Sequence, residues 1–130
     1  MNKLTPEHLI IFNQKIVGEN SSDVLRIQYD MLVEITEIPY KKNEELFYVY
    51  KSSVEKAAKL GNLIATRKPF LKANQETAIL TILTLLDING CKVINYVQDL
   101  DDLRSCLEES NEENICLWIR KHLKEELYPN

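Results

Sequence analysis

The residues best suited to chemistry lie around one predicted helix start in the middle of the chain. Pro69 to Lys72 form a short loop, and a long apolar helix is predicted to begin behind it, at Ala73 or Asn74. The first N–H groups of a helix have no intrahelical partner and lie at the positive end of its dipole, so they bind anions without a special side chain. Every helix has such an end, so this helix start alone is a candidate for residual anion or phosphate binding and not a prediction of it.

A basic cluster flanks the same loop and admits two interpretations. Its members are Lys56, Lys59, Arg67, Lys68 and Lys72. Such a cluster can meet a nucleic acid or an acidic peptide, but it is more often a solvated helix face. The net charge of −4, from 16 basic and 20 acidic residues, favours the solvated face and argues against a nucleic-acid partner.

Neither a metal site nor a disulfide framework is indicated. The three cysteines, Cys91, Cys106 and Cys116, are widely spaced and include no CxxC pair. Cys116 and His122 are six positions apart, not the i, i+4 pair that shares a helix face for a metal. We therefore predict reduced thiols and a cytoplasmic protein without a metal centre.

Length and composition bound the fold class. The 130 residues are close to the usual size of one domain, so we predict a single domain over residues 1–130. With 45% hydrophobic residues the chain can build one core, while only three glycines and four prolines are too few for a barrel or sandwich of many short strands. The N-terminus lacks a signal-peptide core and the longest apolar run, 78–88, is about half a bilayer span, so no membrane association is predicted.

Apolar periodicity then predicts an all-α protein of about six helices. Thr5-Pro6-Glu7 is typical of a helix start and Gly18 of an exit, and a second helix is predicted from Ser21-Ser22-Asp23 to Pro39. Asn43 is predicted to cap a third, long helix that ends before Pro69. Its inner face would comprise Phe47, Tyr50, Val54, Ala57, Gly61 and Ile64, with small residues that let a neighbouring helix approach closely.

The fourth predicted helix is apolar on nearly all sides between Ala78 and Ile88, which is typical of a buried central helix. Asn89-Gly90 predicts its end, and residues 91–97 are predicted to be extended. Two amphipathic helices follow, one with Leu103 and one with Ile119 on the apolar face.

The stretch from Lys56 to Ala78, closing on Asn89-Gly90, resembles the central part of the Fic/Doc (Fido) family. That family reads, in outline, an alanine-rich helix, then H-P-F-x-D-[GA]-N-K-R-T-A, then an apolar helix ending in N-G. The opening residues 4–10 and residues 118–123 are similar to the ends of death-on-curing (Doc) toxins, so the resemblance covers nearly the whole chain. It implies a Fic/Doc-like fold around the central helix.

The resemblance also implies a chemistry from which this sequence departs. Family members transfer part of a nucleotide, AMP or a phosphate, to a protein hydroxyl, and the motif histidine takes the proton of that hydroxyl. Lys68 stands in the place of the histidine and Lys72 in that of the residue that helps to hold magnesium. Gln75 and Glu76 replace the motif's basic residue and its phosphate-binding arginine. Among the retained positions, Ala73, Asn74 and Thr77 are the candidates for phosphate or nucleotide binding.

Two hypotheses follow from the resemblance. The first is a degenerate Fic/Doc-fold protein without transferase activity, which acts by binding a protein partner such as an antitoxin-like peptide. The second is an active transferase that uses Lys68 as its base, together with ATP and magnesium. The first is favoured, because an ordinary lysine, with a pKa near 10.4, is protonated at neutral pH and a glutamate in a phosphate cradle repels the substrate.

Overall fold

The chain folds into six α-helices within residues 2–18 and 28–124, the part described by the structure, a computed structural model. The fold is all-α, as predicted, and the described residues contain two isolated β-bridges but no sheet. The helices are α1 (Pro6–Val17), α2 (Tyr29–Glu37), α3 (Ser53–Arg67), α4 (Asn74–Ile88), α5 (Leu100–Glu108) and α6 (Glu112–His122), with single 3-10 turns at Ile38–Tyr40 and Val97–Asp99.

The ends of α1 follow the local sequence closely. Thr5 Oγ1 accepts a hydrogen bond from the His8 N–H at 3.3 Å, and His8 Nδ1 accepts one from the Thr5 N–H at 3.0 Å. Pro6 occupies the first turn, and Gly18 ends the helix in the left-handed conformation with φ of 80°. The predicted start of the second helix at Ser21–Asp23 lies outside the described residues, but its predicted end is confirmed, since α2 stops at Glu37 ahead of Pro39.

The third helix begins at Ser53, so the prediction that Asn43 caps it was wrong. The true cap is Ser52, whose Oγ accepts a hydrogen bond from the Glu55 N–H at 3.1 Å. Asn43 caps a turn instead, because its Oδ1 accepts hydrogen bonds from the N–H groups of Glu45 at 2.9 Å and Phe47 at 3.1 Å.

Residues 41–51 form a short hairpin in place of the predicted first turns of that helix. The Asn43 N–H donates to the Phe47 carbonyl at 2.8 Å, and the Val49 N–H donates to the Lys41 carbonyl at 3.0 Å. Lys42 and Tyr48 form an antiparallel bridge between its two arms. The hairpin therefore stands between α2 and α3 as an element of its own.

Helix α4 packs against α1, α3 and α5, which confirms its central position. Gly61 of α3 faces Ile82 of α4, and a methyl group at Gly61 would overlap the Ile82 side chain. The predicted close approach of two helices at small residues is thus confirmed. The helix is not buried all round, however: Leu80 and Leu83 are half-buried along a groove of about 280 Å³ that no helix of the described residues covers.

One apolar core receives side chains from all six helices, because each presents an apolar face inward. Its fully buried members include Leu9, Leu32, Ile35, Leu60, Ile64, Ile82, Leu85, Leu86, Leu103, Leu107 and Ile115.

The segment after α4 begins as predicted and then departs from the prediction. Gly90 has φ of 81°, and the Asn89 amide donates to the Leu85 carbonyl at 2.8 Å, so Asn89-Gly90 ends the helix. Residues 91–97 do not form one extended segment as predicted. Val93 bridges Leu123, flanked by hydrogen bonds from the Ile94 N–H to the His122 carbonyl at 2.8 Å and from the Lys124 N–H to the Lys92 carbonyl at 2.9 Å. Beyond Ile94 the backbone turns away, because Asn95 has φ of 52° and Val97 begins a 3-10 turn. Across residues 2–18 and 28–124, no helix has the length and apolar character required to cross a bilayer.

Candidate functional site

The loop between α3 and α4 is held by side chains of the sequence motif. Lys68 ends α3 in the left-handed conformation with φ of 48°, and Phe70 is buried. The Asn74 side chain spans the loop, because its Oδ1 accepts from the Phe70 N–H at 2.9 Å and its Nδ2 donates to the Phe70 carbonyl at 2.9 Å. Ala73 has φ of 61°, which a residue other than glycine rarely adopts, so the hydrogen bonds around it stabilise a sharp turn.

A second layer of hydrogen bonds fixes the first turn of α4. Thr77 is buried, and its Oγ1 donates to the Ala73 carbonyl at 2.6 Å. Asn13, buried in α1, donates through Nδ2 to the Lys72 carbonyl at 2.9 Å and to Thr77 Oγ1 at 3.1 Å. The loop is therefore tied to α1 as well as to α4.

The three phosphate-binding candidates consequently have structural roles in this fold. The amide of Asn74 is engaged on both sides by the Phe70 backbone, and the hydroxyl of Thr77 is shared between Ala73 and Asn13. Ala73 has no polar side chain, and nothing from a side chain caps the first turn of α4. At this helix start, the backbone N–H groups are therefore the donors left for an anion.

A cleft of about 630 Å³ opens beside this helix start, between α3, α4 and α5. The charged side chains lining it are Lys68, Glu76 and Glu108, which give it one positive and two negative charges. Gln75 also lines the cleft, and its Nε2 donates to the Arg104 carbonyl at 3.3 Å, which ties α4 to α5. Glu76 lies in the first turn of α4, where its charge is favourable for the helix dipole.

This lining does not suit a nucleoside triphosphate with magnesium. The carboxylates of Glu76 and Glu108 repel phosphate oxygens, and Lys68 is the single cation opposite them. Lys72 is exposed and, within the part of the chain that the structure describes, is not among the residues that line the cleft. No three potential metal ligands of the His, Cys, Asp and Glu types come together in residues 2–18 and 28–124.

The predicted basic cluster is dispersed by the fold. Arg67 pairs with Glu34 at 2.8 Å, Lys59 pairs with Glu112 at 2.8 Å, and Lys56 is buried. Only Lys68 and Lys72 of the five remain exposed without an ion pair in the described residues. The prediction of a solvated helix face was therefore wrong for Lys56, and the charges of Lys59 and Arg67 are paired with carboxylates.

The hairpin carries an exposed apolar surface that the sequence reasoning missed. Leu46 is 77% exposed, Phe47 63% and Val49 46%. We call these three residues the outer face of the hairpin. The alternation Phe47-Tyr48-Val49-Tyr50 is a strand signal that could have revealed the hairpin, but the same residues also fit a helical spacing.

The tyrosines that alternate with these residues meet two lysines of α3. Lys56 Nζ lies 4.3 Å from the centre of the Tyr48 ring and donates a hydrogen bond to the Tyr50 carbonyl. Lys59 Nζ lies 5.6 Å from the centre of the Tyr50 ring. Burial lowers the pKa of Lys56, whereas hydrogen bonding and charge from Glu112 and Tyr50 outweigh burial and raise the pKa of Lys59.

No protein-family model matches this chain, and no curated protein matches it.

Proposed function

We propose that this protein is a Fic/Doc-fold domain that has lost transferase activity and acts by binding a protein partner through its hairpin. The resemblance to Doc toxins indicates the class of partner, because Doc is bound by a segment of its antitoxin. The partner is a peptide segment rather than a nucleic acid or a membrane.

The loop geometry supports the family resemblance. Phe70, Ala73, Asn74 and Thr77 are motif residues that this chain retains, and each of them shapes the loop or the first turn of α4. The motif residues that it lacks are those that carry charge or protons in the family. The chain therefore keeps the residues that build the scaffold and loses those that perform the transfer.

The charge of the cleft supports the loss of transferase activity. A phosphate cradle requires cations, yet Glu76 and Glu108 outnumber Lys68 there. Lys68, in the place of the family histidine, is exposed at the end of α3. Free thiols at Cys91, Cys106 and Cys116 agree with a cytoplasmic setting for such a protein.

The outer face of the hairpin is the observation that carries partner binding. Leu46 is in the left-handed conformation with φ of 67° and is 77% exposed. Such a turn favours glycine or asparagine, and an exposed apolar side chain contributes little to the core. Adjacent exposed apolar side chains on one element mark a surface for interaction.

A matched pair of variants tests this surface. Phe47→Ser removes an exposed aromatic side chain from the hairpin, and Leu117→Ser removes a 56% exposed leucine from α6. We expect the partner to co-purify with the wild-type protein and with Leu117→Ser, and to be recovered at least about tenfold less with Phe47→Ser, as for a hot-spot residue. Both variants should melt at the wild-type temperature, and equal recovery with both would contradict the proposal.

A transfer assay with labelled ATP distinguishes this proposal from the hypothesis of an active transferase. Wild-type protein with candidate targets, ATP and magnesium should transfer neither phosphate nor AMP. Transfer that Lys68→Met abolishes would replace the proposal with that of a transferase in which Lys68 serves as the base.

A further inference from the structure

The side chain of Lys56 is the most unusual charge in the described structure. It is only 2% exposed, and it takes part in none of the ion pairs between described residues. A buried ammonium group is unfavourable unless nearby groups compensate for the water that it has lost. The contacts of Lys56 therefore indicate which groups compensate for its burial.

Both compensating contacts belong to the hairpin. The Nζ atom donates to the Tyr50 carbonyl and lies 4.3 Å from the centre of the Tyr48 ring, on whose face a cation is attracted. Tyr48 and Tyr50 thus both meet lysines of α3, since Lys59 Nζ lies 5.6 Å from the Tyr50 ring. Phe47 and Val49, which alternate with them, are 63% and 46% exposed.

The hairpin has few other means of staying in place. Its outer face is exposed and contributes no apolar contact to the core. An isolated two-stranded hairpin is marginally stable in water. Toward the protein the hairpin has the Lys56 contacts, a more distant approach of Lys59 to Tyr50 at 5.6 Å, and one hydrogen bond at its end, from the Lys51 N–H to Glu55 Oε2 at 2.7 Å.

We propose that Lys56 is the positioning residue of the hairpin, and that it holds the binding surface through its positive charge rather than through its bulk. This role rests on the proposed function, because the hairpin is taken as the element that binds the partner. Replacing Lys56 by a neutral side chain of similar length should release the hairpin and leave the helices unchanged.

Amide hydrogen exchange in the full chain tests the role without any partner. The reporters are the N–H groups of Asn43 and Val49, which are bonded across the hairpin, and that of Ile82 in α4. In Lys56→Met we expect the two hairpin amides to exchange at least about tenfold faster, while the Ile82 amide and the melting temperature remain at wild-type values. Unchanged exchange in the hairpin, or equal acceleration in α4, would overturn the role of Lys56.

Two further variants examine the contacts of the tyrosines. Tyr48→Leu removes the aromatic face that Lys56 meets at 4.3 Å and Lys42 at 5.1 Å, and should accelerate the same amides. Lys59→Met is the control, because it removes a lysine one turn along α3 but leaves the Tyr50 carbonyl bonded to Lys56. Acceleration as large in Lys59→Met as in Lys56→Met would show that no single lysine holds the hairpin, and would overturn the proposal.

Partner binding then distinguishes this role from the proposed function. If Lys56→Met releases the hairpin and weakens binding of the partner, the result supports both the role of Lys56 and the proposed function. If it releases the hairpin but binds the partner as tightly as wild type does, the hairpin is not the binding surface, which overturns the proposed function and the binding role of Lys56 together.

Discussion

His122 connects α6 to the turn before α5 through Nε2 of its buried ring, while Nδ1 contacts a carbonyl of its own helix. Its Nδ1 lies 2.7 Å from the Trp118 carbonyl oxygen and its Nε2 lies 2.8 Å from Asp99 Oδ2. The Trp118 indole N–H donates to the Asp99 carbonyl at 2.9 Å, so the same turn is held twice. The hydrogen bond from His122 holds the pKa of Asp99 below its ordinary value of 3.8.

This contact predicts a pH-dependent loss of stability at Asp99. Because its pKa is lower in the folded than in the unfolded chain, its stabilising contribution is present above pH 3.8 and is lost as the pH falls through the folded value. Asp99→Asn should lower the urea midpoint at pH 6, and the difference from wild type should shrink at pH 3. The exposed Asp102→Asn is the control, and a difference in the urea midpoint between Asp99→Asn and wild type that stays constant from pH 6 to pH 3 would contradict the prediction.

Single residues of the motif show what the sequence could predict about the site. The helix start at Asn74 and the cation at Lys68 beside it were both predictable, because caps and motif spacing are local. The hydrogen bonds between the Asn74 side chain and the Phe70 backbone were not predictable. The same holds for the hydrogen bond from Asn13 to the Lys72 carbonyl, which joins residues 59 positions apart. Hydrogen bonds over such a separation depend on how the helices pack, which local patterns do not encode.

The α3–α4 contact makes Gly61 sensitive to a single methyl group. Alanine would raise helix propensity by about 1 kcal/mol, but its methyl group overlaps buried Ile82, and overpacking costs roughly 1–3 kcal/mol. We therefore expect Gly61→Ala to lower the free energy of unfolding. Adding Ile82→Val, which deletes one of the overlapping atoms, should restore part of it, so the double variant should be less destabilised than the sum of the singles.

Urea unfolding of the four proteins in this cycle measures that coupling. Additive losses would mean that the helices separate to accept the methyl group, and that α3 and α4 are not closely packed at Gly61.

The hairpin shows why an element can be missed when helices around it are predicted well. Phe47, Tyr50 and Val54 fit a helical face, and the alternation of Phe47 and Val49 with tyrosines fits a strand, so periodicity alone does not decide. The Ser52 cap, bonded to the Glu55 N–H, settles the start of α3 in the structure. Its serine and glutamate spacing was available in the sequence, whereas the docking of the tyrosines on Lys56 was not.

The charge of the cleft should decide whether the protein binds nucleotides. Glu76→Arg exchanges a repulsive carboxylate at the cleft for a forked donor suited to phosphate. We expect its affinity for ATP, measured by calorimetry at low salt, to exceed that of wild type by roughly tenfold or more, since a charge-assisted hydrogen bond contributes about 1.5–3 kcal/mol.

Glu113→Arg is the matched control for this prediction. It makes the same change in net charge in the first turn of α6, at an exposed residue that does not line the cleft. Equal gains in the two variants would show a general electrostatic attraction. No gain in Glu76→Arg would show that the cleft no longer has the shape of a phosphate cradle.

The outward-facing hairpin also bears on how the protein behaves at high concentration. Leu46 to Tyr50 is an uncharged run of aliphatic and aromatic residues without proline or glycine, on a short edge that helices do not cover. Such runs pair with copies of themselves, and flanking charges act as gatekeepers against this, here Lys41, Lys42, Glu44, Glu45 and Lys51. If the hairpin binds the partner proposed above, a chain made in excess over that partner would depend on those flanking charges to stay dispersed. Synthesis of the two proteins in matched amounts would then protect against aggregation as well as serve binding.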